Sequence, residues 1–195
     1  MIFKYKPGQT PIDAAEADAL LPALTTQGEL NRWEEENIIA GRHWALSKKT
    51  LKRFELLSED FIFELHRRMF ADTWKWAGNA RLTDKNIGVP FYLVRPELRK
   101  LVDDARHWRD EEIYSFDEFA MRFHHRLVQV HVFANGNGRH GRLVVDALTA
   151  KAAEPERTWG SLGLIKQSNA RAEYLRALQA ADAGDYQPLI RFSRS

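Results

Sequence analysis

The stretch HVFANGNGRHGR, residues 131–142, decides how the rest of this chain is interpreted. It predicts a histidine, His131, at the end of a buried helix, then a turn with two glycines, then a second helix that starts near Gly138–Arg139. Glycine lets the backbone turn freely and approach a ligand closely. The first N–H groups of a helix have no intrahelical partners and lie at the positive end of its dipole, so this turn favours an anion.

Two arginines strengthen that expectation. Arg139 and Arg142 are three residues apart, so both project from one side of the first turn of the second helix. Guanidinium groups bind phosphate oxygens well, and a histidine beside a bound phosphate can act as the base for an attacking hydroxyl. An Asn-Gly turn or a pair of helical arginines is usually only structural, but the combination at these spacings predicts a site for a ligand with several phosphate charges.

Apolar residues at helical spacing predict a mainly α fold around this stretch. Thr25 or Thr26 predicts the start of a helix that runs to about Ala45. Ser58 and Ser115 predict the starts of two more helices, and the second of these is the central helix that ends at His131.

Residues 84–93 follow a different pattern. They contain Asn86, Gly88 and Pro90, and their apolar residues alternate with others. This pattern predicts a short hairpin that turns near Asp84–Gly88. We therefore expect a mainly α helical bundle with a small β-hairpin flap.

The composition excludes several classes of protein. The 195 residues include 29 Lys and Arg against 27 Asp and Glu, a net charge of +2, which argues against a strongly basic nucleic-acid surface. Cysteine is absent, so a disulfide scaffold, a thiolate zinc site and a cysteine nucleophile are excluded. No apolar run approaches the ~18 residues of a membrane span. We expect a cytoplasmic protein with no membrane association.

The stretch 131–142 resembles the motif of the Fic (Fic/Doc) family, H-x-F-x-[DE]-G-N-G-R-x-x-R, at every defined position except Asn135. Residues 76–81 are similar to the segment that leads into the flap of that family. Residues 171–178 and 184–189 are similar to its C-terminal helices, so the resemblance covers about residues 50–192. Residues 26–31 resemble the subgroup called mobile mystery protein B. We divide the chain into an N-terminal arm and helix, 1–49, which could regulate the site, and a Fic-like catalytic core, 50–195.

The resemblance implies a reaction. Fic proteins mostly transfer AMP from ATP to a Ser, Thr or Tyr hydroxyl of a target protein, so the implied activity is that of a protein adenylyltransferase, a nucleotidyltransferase. His131 would deprotonate the target hydroxyl. Phe133 would anchor the loop in the core. The flap would clamp the target segment by adding it as a β-strand, through Lys85, Asn86, Ile87, Gly88 and Val89.

The resemblance also implies how ATP is held. Gly136, Asn137 and Gly138 would surround the α- and β-phosphates, with further contacts from the side chains of Asn137 and Arg139. Arg142 would bind the γ-phosphate.

The family's acidic position, which binds Mg²⁺, is Asn135 in this chain. An amide oxygen can bind Mg²⁺ but lacks the charge of a carboxylate, so the metal site is expected to be weak. Three outcomes stay open: activity with a weaker metal site, a different reaction such as phosphoryl transfer or removal of AMP, and a non-catalytic protein that binds nucleotide and regulates another.

Many Fic proteins also carry a helix with the pattern [ST]-x-x-x-E-[GN], whose glutamate pairs with the second motif arginine and blocks the γ-phosphate site. Glu29 and Glu36 are the candidates here, and each matches the pattern in part. The alternative for both is an amphipathic helix with Trp33 inward and its acids solvated.

Three more histidines, His124, His125 and His140, could contribute to a site. His124 and His131 with an acid could form a metal cluster, although a role at the edge of the core is the simpler interpretation, as it is for His125. His140 is expected to face solvent or the edge of the ligand.

Expected partners are a protein with a modifiable hydroxyl, an antitoxin or other regulatory protein, and a second copy in a homodimer, with no direct nucleic-acid binding.

Overall fold

The computed structural model describes residues 11–24, 26–161 and 167–195. Within these ranges the fold is mainly helical, as expected. The helices are α1 (Ala14–Ala17), α2 (Gln27–Ala45), α3 (Lys48–Arg53), α4 (Glu59–Phe70), α5 (Val94–Asp110), α6 (Phe116–Val130), α7 (Asn137–Lys151), α8 (Gln167–Asp182) and α9 (Gln187–Arg194), with a 3-10 turn at Phe91–Leu93 before α5. None of the described helices is both long and apolar enough to cross a membrane.

Side-chain caps explain where the helices begin. The Thr26 hydroxyl accepts a hydrogen bond from the Glu29 N–H, and the Glu29 carboxylate accepts one from the Thr26 N–H, which closes a capping box at the start of α2. Ser58 caps α4 and Ser115 caps α6 in the same way through their hydroxyls. The predicted starts of these helices are therefore confirmed.

The core forms where α6 packs between α5 and α7 and where α2 packs on α4. Helical spacing puts one apolar stripe of α4 inward, and the four residues of this stripe are fully buried: Phe61, Ile62, Leu65 and Met69. At the end of α6, Val130 and Phe133 are also fully buried. The chain that carries the motif is thus fixed at the centre of the molecule.

The predicted β-hairpin flap is not confirmed. Residues 81–90, which we call the flap loop, are irregular, and the only β-type pairing in the described ranges is an isolated antiparallel bridge between Leu20 and Trp74. Backbone groups that a hairpin would use are bound by side chains instead. The Arg81 guanidinium donates to the carbonyls of Thr83 and Val89, and Asp84 accepts from the Phe91 N–H at 2.8 Å.

The N-terminal segment holds the flap loop from the outside. The Lys85 side chain is only 4% exposed and forms two ion pairs. One is with Asp13, the N-cap residue of α1, and the other is with Glu16, which lies within α1. Thr83 donates a hydrogen bond to Asp13 at 3.2 Å, and Trp76 donates one to the Glu16 carbonyl at 3.2 Å. The position of the flap loop therefore depends on residues far away in the sequence.

Candidate active site

The end of α6 presents His131 in an unusual backbone conformation. His131 is the C-cap residue, with φ 55° and ψ 62°, a left-handed geometry that is costly for a residue with a side chain. The surrounding contacts hold it there. The Arg81 Nε donates to the His131 carbonyl at 2.6 Å, and the Arg81 backbone N–H donates to the Val132 carbonyl at 2.9 Å. The chain therefore turns sharply after α6 and leaves the imidazole at the turn.

The His131 ring is buried under the flap loop. Its exposed fraction is 4%, and a Cβ built at Gly88 would lie 2.6 Å from the His131 Cβ. Burial, with the positive charges of Arg81 and Lys85 nearby, lowers the pKa of His131 to about 4. The ring is consequently neutral at pH 7 and can accept a proton. Phosphate charge bound next to it would raise this pKa, which would make it a better base.

The residues after His131 form a loop, 132–136, whose shape is fixed from inside the core. The Phe133 ring is fully buried and stacks on His66, with ring centroids 3.6 Å apart. The Asn137 side chain accepts from the Phe133 N–H at 2.9 Å and donates to the Phe133 carbonyl at 2.8 Å. The structure thus uses the Asn137 amide to brace this motif loop, whereas the sequence suggested that it would hold phosphate.

The loop delivers the backbone to the start of α7. Gly136 is the N-cap with φ 80°, and a Cβ there would lie 2.7 Å from ring carbons of Phe70, so only glycine fits this close approach. Helix geometry leaves the N–H groups at the start of α7 without intrahelical acceptors. Gly138 is open on its outer side, where the nearest atom to a built Cβ is the Tyr174 hydroxyl at 3.8 Å. These features suit an anion.

The two motif arginines have different surroundings. Arg139 donates to Glu34 at 2.8 Å, and its guanidinium lies over the Phe70 ring. Arg142 forms no ion pair with any carboxylate in the described ranges; its guanidinium lies over the Tyr174 ring, 5.2 Å from the centroid. Burial lowers the pKa of Arg142 from its usual value, which shows how little solvent compensates this charge. Arg142 is therefore the motif cation whose charge no described carboxylate neutralises through an ion pair.

Glu34 is the acidic residue that the sequence analysis missed. It is 7% exposed, and its second oxygen accepts from the Trp74 indole N–H at 2.9 Å. Glu29 instead caps α2, and Glu36 lies exposed on that helix. A signal was available: Glu34 lies four residues after the buried Leu30, on the inward face of α2.

A magnesium site built by the chain itself does not fit these residues. The Asn135 side-chain oxygen accepts from the Gly136 N–H at 2.7 Å and lies 3.5 Å from an Arg139 guanidinium nitrogen. The described part of the chain contains no group of three or more His, Asp or Glu residues that could hold a metal. One neutral oxygen beside an arginine is a poor site for a hard divalent cation.

The other histidines have structural partners. His140 is 1% exposed and its Nε2 lies 2.9 Å from the Ile62 carbonyl, so the expectation that it faces solvent or ligand is wrong. His124 is fully buried against the Tyr174 hydroxyl at 2.9 Å, and His125 contacts Asp182 at 2.8 Å. The three rings serve the packing around α6 and α7.

The exposed part of the flap loop carries apolar side chains. Asn86 and Ile87 are exposed, whereas Lys85 is bound to the N-terminal segment and Val89 is half-buried. Five of the nine large apolar side chains that are exposed in the described residues belong to this loop and the 3-10 turn after it. They are Leu82, Ile87, Phe91, Tyr92 and Leu93.

Comparison with known proteins agrees with this geometry. The model of the Fic/DOC family matches residues 56–149. A "Protein adenylyltransferase Fic" of Nematostella vectensis is 30% identical over 165 residues, which are 81% of this chain and 37% of that protein. The chain spans about a third of the length of the curated relatives it matches.

Solved structures show the same fold. Fic-1 from C. elegans has a TM-score of 0.63 at 26% identity, covering 92% of this chain and 52% of that one. BepC from Bartonella tribocorum, with bound AMPPNP, has a TM-score of 0.67 at 17% identity, covering 93% and 97%. At that lower identity the likeness to BepC concerns the fold alone.

The first prediction concerns the contact of the flap loop with His131. Gly88→Ala adds a Cβ that would clash with His131 at a backbone with φ +104°, so the loop must move away and expose the ring. We expect the His131 pKa, measured by NMR titration, to rise from about 4 towards its usual 6.5. Gly184→Ala is the matched control, because its φ is +88° and nothing lies within 4 Å of the added Cβ. An equal His131 pKa in both variants would contradict this contact.

The second prediction concerns acid lability. Burial lowers the pKa of His124 to about 3 and those of His131 and His140 to about 4, against 6.5 when unfolded. Between pH 4 and pH 6.5 the unfolded chain binds more protons than the folded chain. The contribution of these neutral rings to the free energy of unfolding is therefore complete above pH 6.5 and falls as the pH drops towards 4. In this range each ring should lower the free energy of unfolding by up to about 1.4 kcal/mol for each unit that the pH drops. Urea unfolding at pH 7.5 and 5.5 measures this, and equal stability at both pH values would refute it.

Proposed function

The chain belongs to the Fic/DOC family, and we propose on that basis that it is a protein adenylyltransferase, which transfers AMP from ATP to a Ser, Thr or Tyr hydroxyl of a target protein. One observation carries the proposal. A buried neutral histidine lies immediately before a loop that leads to an open helix N-terminus, where Arg142 forms no ion pair with a described carboxylate. This arrangement offers a base and an anion site a few residues apart.

The proposed reaction assigns one step to each part. The imidazole of His131 accepts the proton of the target hydroxyl while the oxygen attacks the α-phosphorus of ATP. A P–O bond forms, the bond to the β-phosphate oxygen breaks, and pyrophosphate leaves with its electron pair. The Gly138 N–H and the charge of Arg142 would stabilise the phosphate oxygens as charge moves among them, whereas the Gly136 N–H already donates to the Asn135 side chain. The names of relatives at 30% and 35% identity, protein adenylyltransferases, support a donor of AMP such as ATP.

Target binding would involve the flap loop through its side chains. Two of its carbonyls are held by Arg81, which limits pairing with an added strand. Its apolar residues, among them Leu82 and Ile87, remain exposed. We propose that the target segment lies along this loop and offers apolar residues next to the modified hydroxyl.

Other reactions remain as alternatives because position 135 has no carboxylate. Phosphoryl transfer, removal of AMP and nucleotide binding without turnover would all use the same anion site. Asn135 particularly favours binding without turnover, since a neutral amide does little for a metal that could assist the reaction.

The third prediction tests the reaction. The chain and its His131→Ala variant are incubated with cell lysate and ATP labelled on either the α- or the γ-phosphate. We expect protein-bound label from the α-position alone, at least about 100-fold reduced in the variant, because a positioned base contributes that much or more. Label from the γ-position alone would establish phosphorylation instead. No His131-dependent label, together with measurable ATP binding, would establish the non-catalytic alternative.

We also propose that Glu34 restrains the site. Its carboxylate neutralises Arg139, one of the two motif cations, and holds it towards α2. A restraint of this kind was expected from Glu29 or Glu36, but Glu34 is the acid that the structure brings to a motif arginine. Binding of phosphate at Arg139 would have to compete with this ion pair.

The fourth prediction tests that restraint. Glu34→Gln keeps an oxygen for the Trp74 indole N–H but removes the charge that holds Arg139. We expect ATP to bind about tenfold more tightly, equivalent to about 1.4 kcal/mol, in isothermal titration calorimetry. Glu35→Gln is the matched control, since Glu35 is its exposed neighbour. The proposed restraint fails if the two variants bind ATP with the affinity of the parent.

A further inference from the structure

We infer that His66, on α4, is a positioning residue that joins the two halves of the active site through a single protonation form of its ring. The first half is the segment 78–81, which leads to Arg81 and so to the carbonyl of His131. The second half is the motif loop, which leads to the start of α7. His66 contacts both of them and belongs to neither, and its role deepens the function proposed above.

The hydrogen bonds of His66 determine where its proton lies. The Gly78 backbone N–H lies 3.0 Å from Nδ1, and an N–H can only donate, so Nδ1 must carry a lone pair. The proton of a neutral ring is therefore on Nε2, which lies 3.1 Å from the Asn135 carbonyl, a group that can only accept. The opposite tautomer would break both hydrogen bonds. Protonation of the ring would break the hydrogen bond from Gly78.

The surroundings keep the ring neutral and fixed. His66 has an exposed fraction of 0%, and stacking on Phe133 at an interplanar angle of 13° sets its plane. The groups that face it are Phe70, Trp76, Phe133 and His140, with the charge of Arg139 beyond them. Burial, with His140 and Arg139 nearby, holds the pKa of His66 well below its usual value.

The two hydrogen-bond partners of His66, Gly78 and Asn135, each lie within a few residues of the groups that form the site. Gly78 packs closely on α4, where a Cβ would lie 2.7 Å from the Arg67 Cβ, and Arg81 follows three residues later. On the other side, the Asn135 carbonyl directly precedes Gly136, the N-cap of α7. A Cβ at Gly136 would lie 3.5 Å from His66 Nε2, so the His66 ring lies directly beside the motif loop and limits its position. Rotation or loss of this ring would shift the histidine side and the phosphate side relative to each other.

Two substitutions separate the two hydrogen bonds. In His66→Asn the amide oxygen can replace Nδ1 and accept from the Gly78 N–H, but nothing reaches the Asn135 carbonyl. In His66→Gln the amide nitrogen can replace Nε2 and donate to Asn135, but nothing accepts from Gly78. All 195 residues are kept in each variant, and thermal unfolding confirms that each variant is folded. His66→Phe keeps the ring and loses both hydrogen bonds.

Amide hydrogen exchange gives a readout that needs no catalysis. We expect His66→Asn to leave Gly78 protected and to accelerate exchange in residues 133–138 about tenfold, and His66→Gln to show the reverse. His66→Phe should accelerate both segments. If the two amide variants change both segments alike, or if His66→Phe leaves both unchanged, the positioning role is refuted.

ATP affinity then links the ring to function. We expect His66→Gln to bind ATP within about threefold of the parent and His66→Asn to bind it at least tenfold more weakly, because only the latter frees the motif loop. At saturating ATP, AMP transfer should fall in His66→Gln as well, because that variant frees segment 78–81, which leads to Arg81 and the carbonyl of His131. A parent without AMP transfer would refute the proposed function but leave the exchange result standing. An equal ATP affinity in both variants, with the exchange pattern intact, would overturn the link between His66 and phosphate binding.

Discussion

The rest of the site depends on the hydrogen bonds that the buried guanidinium of Arg81 donates. It donates to the carbonyl of His131, where α6 must stop in a left-handed conformation, and it also binds the carbonyls of Thr83 and Val89. One side chain therefore ends the central helix, places the imidazole and shapes the loop above it. Arg81 can be buried because these carbonyls replace the water that its N–H groups lose.

The sequence was most informative where structure depends on neighbouring residues. The caps Thr26, Ser58 and Ser115 satisfy N–H groups three residues away, so the starts of α2, α4 and α6 could be predicted from local patterns. The stretch 131–142 likewise forms a turn between two helices as its composition predicted. Family membership followed from the same residues.

Prediction failed where contacts span the chain. The flap loop is irregular because Arg81 links it to His131, 50 positions away, and local alternation of apolar residues contains no trace of that contact. Glu34 pairs with a residue 105 positions away, a contact that a motif search along α2 could not show. His140 was misplaced for another reason. It lies on the face of α7 that also buries Leu143 and Val144, and the helical period would have shown this.

The ion pairs of Lys85 bear on where the working unit of this protein begins. Division of the chain after residue 49 would separate this nearly buried ammonium group from Asp13 and Glu16, its two carboxylates. A buried charge without a counter-charge is strongly unfavourable, so the flap loop of a truncated core would have to open to solvent and uncover His131. The N-terminal segment is therefore part of the structural unit that shields His131, and a fragment that keeps the flap loop closed must include it.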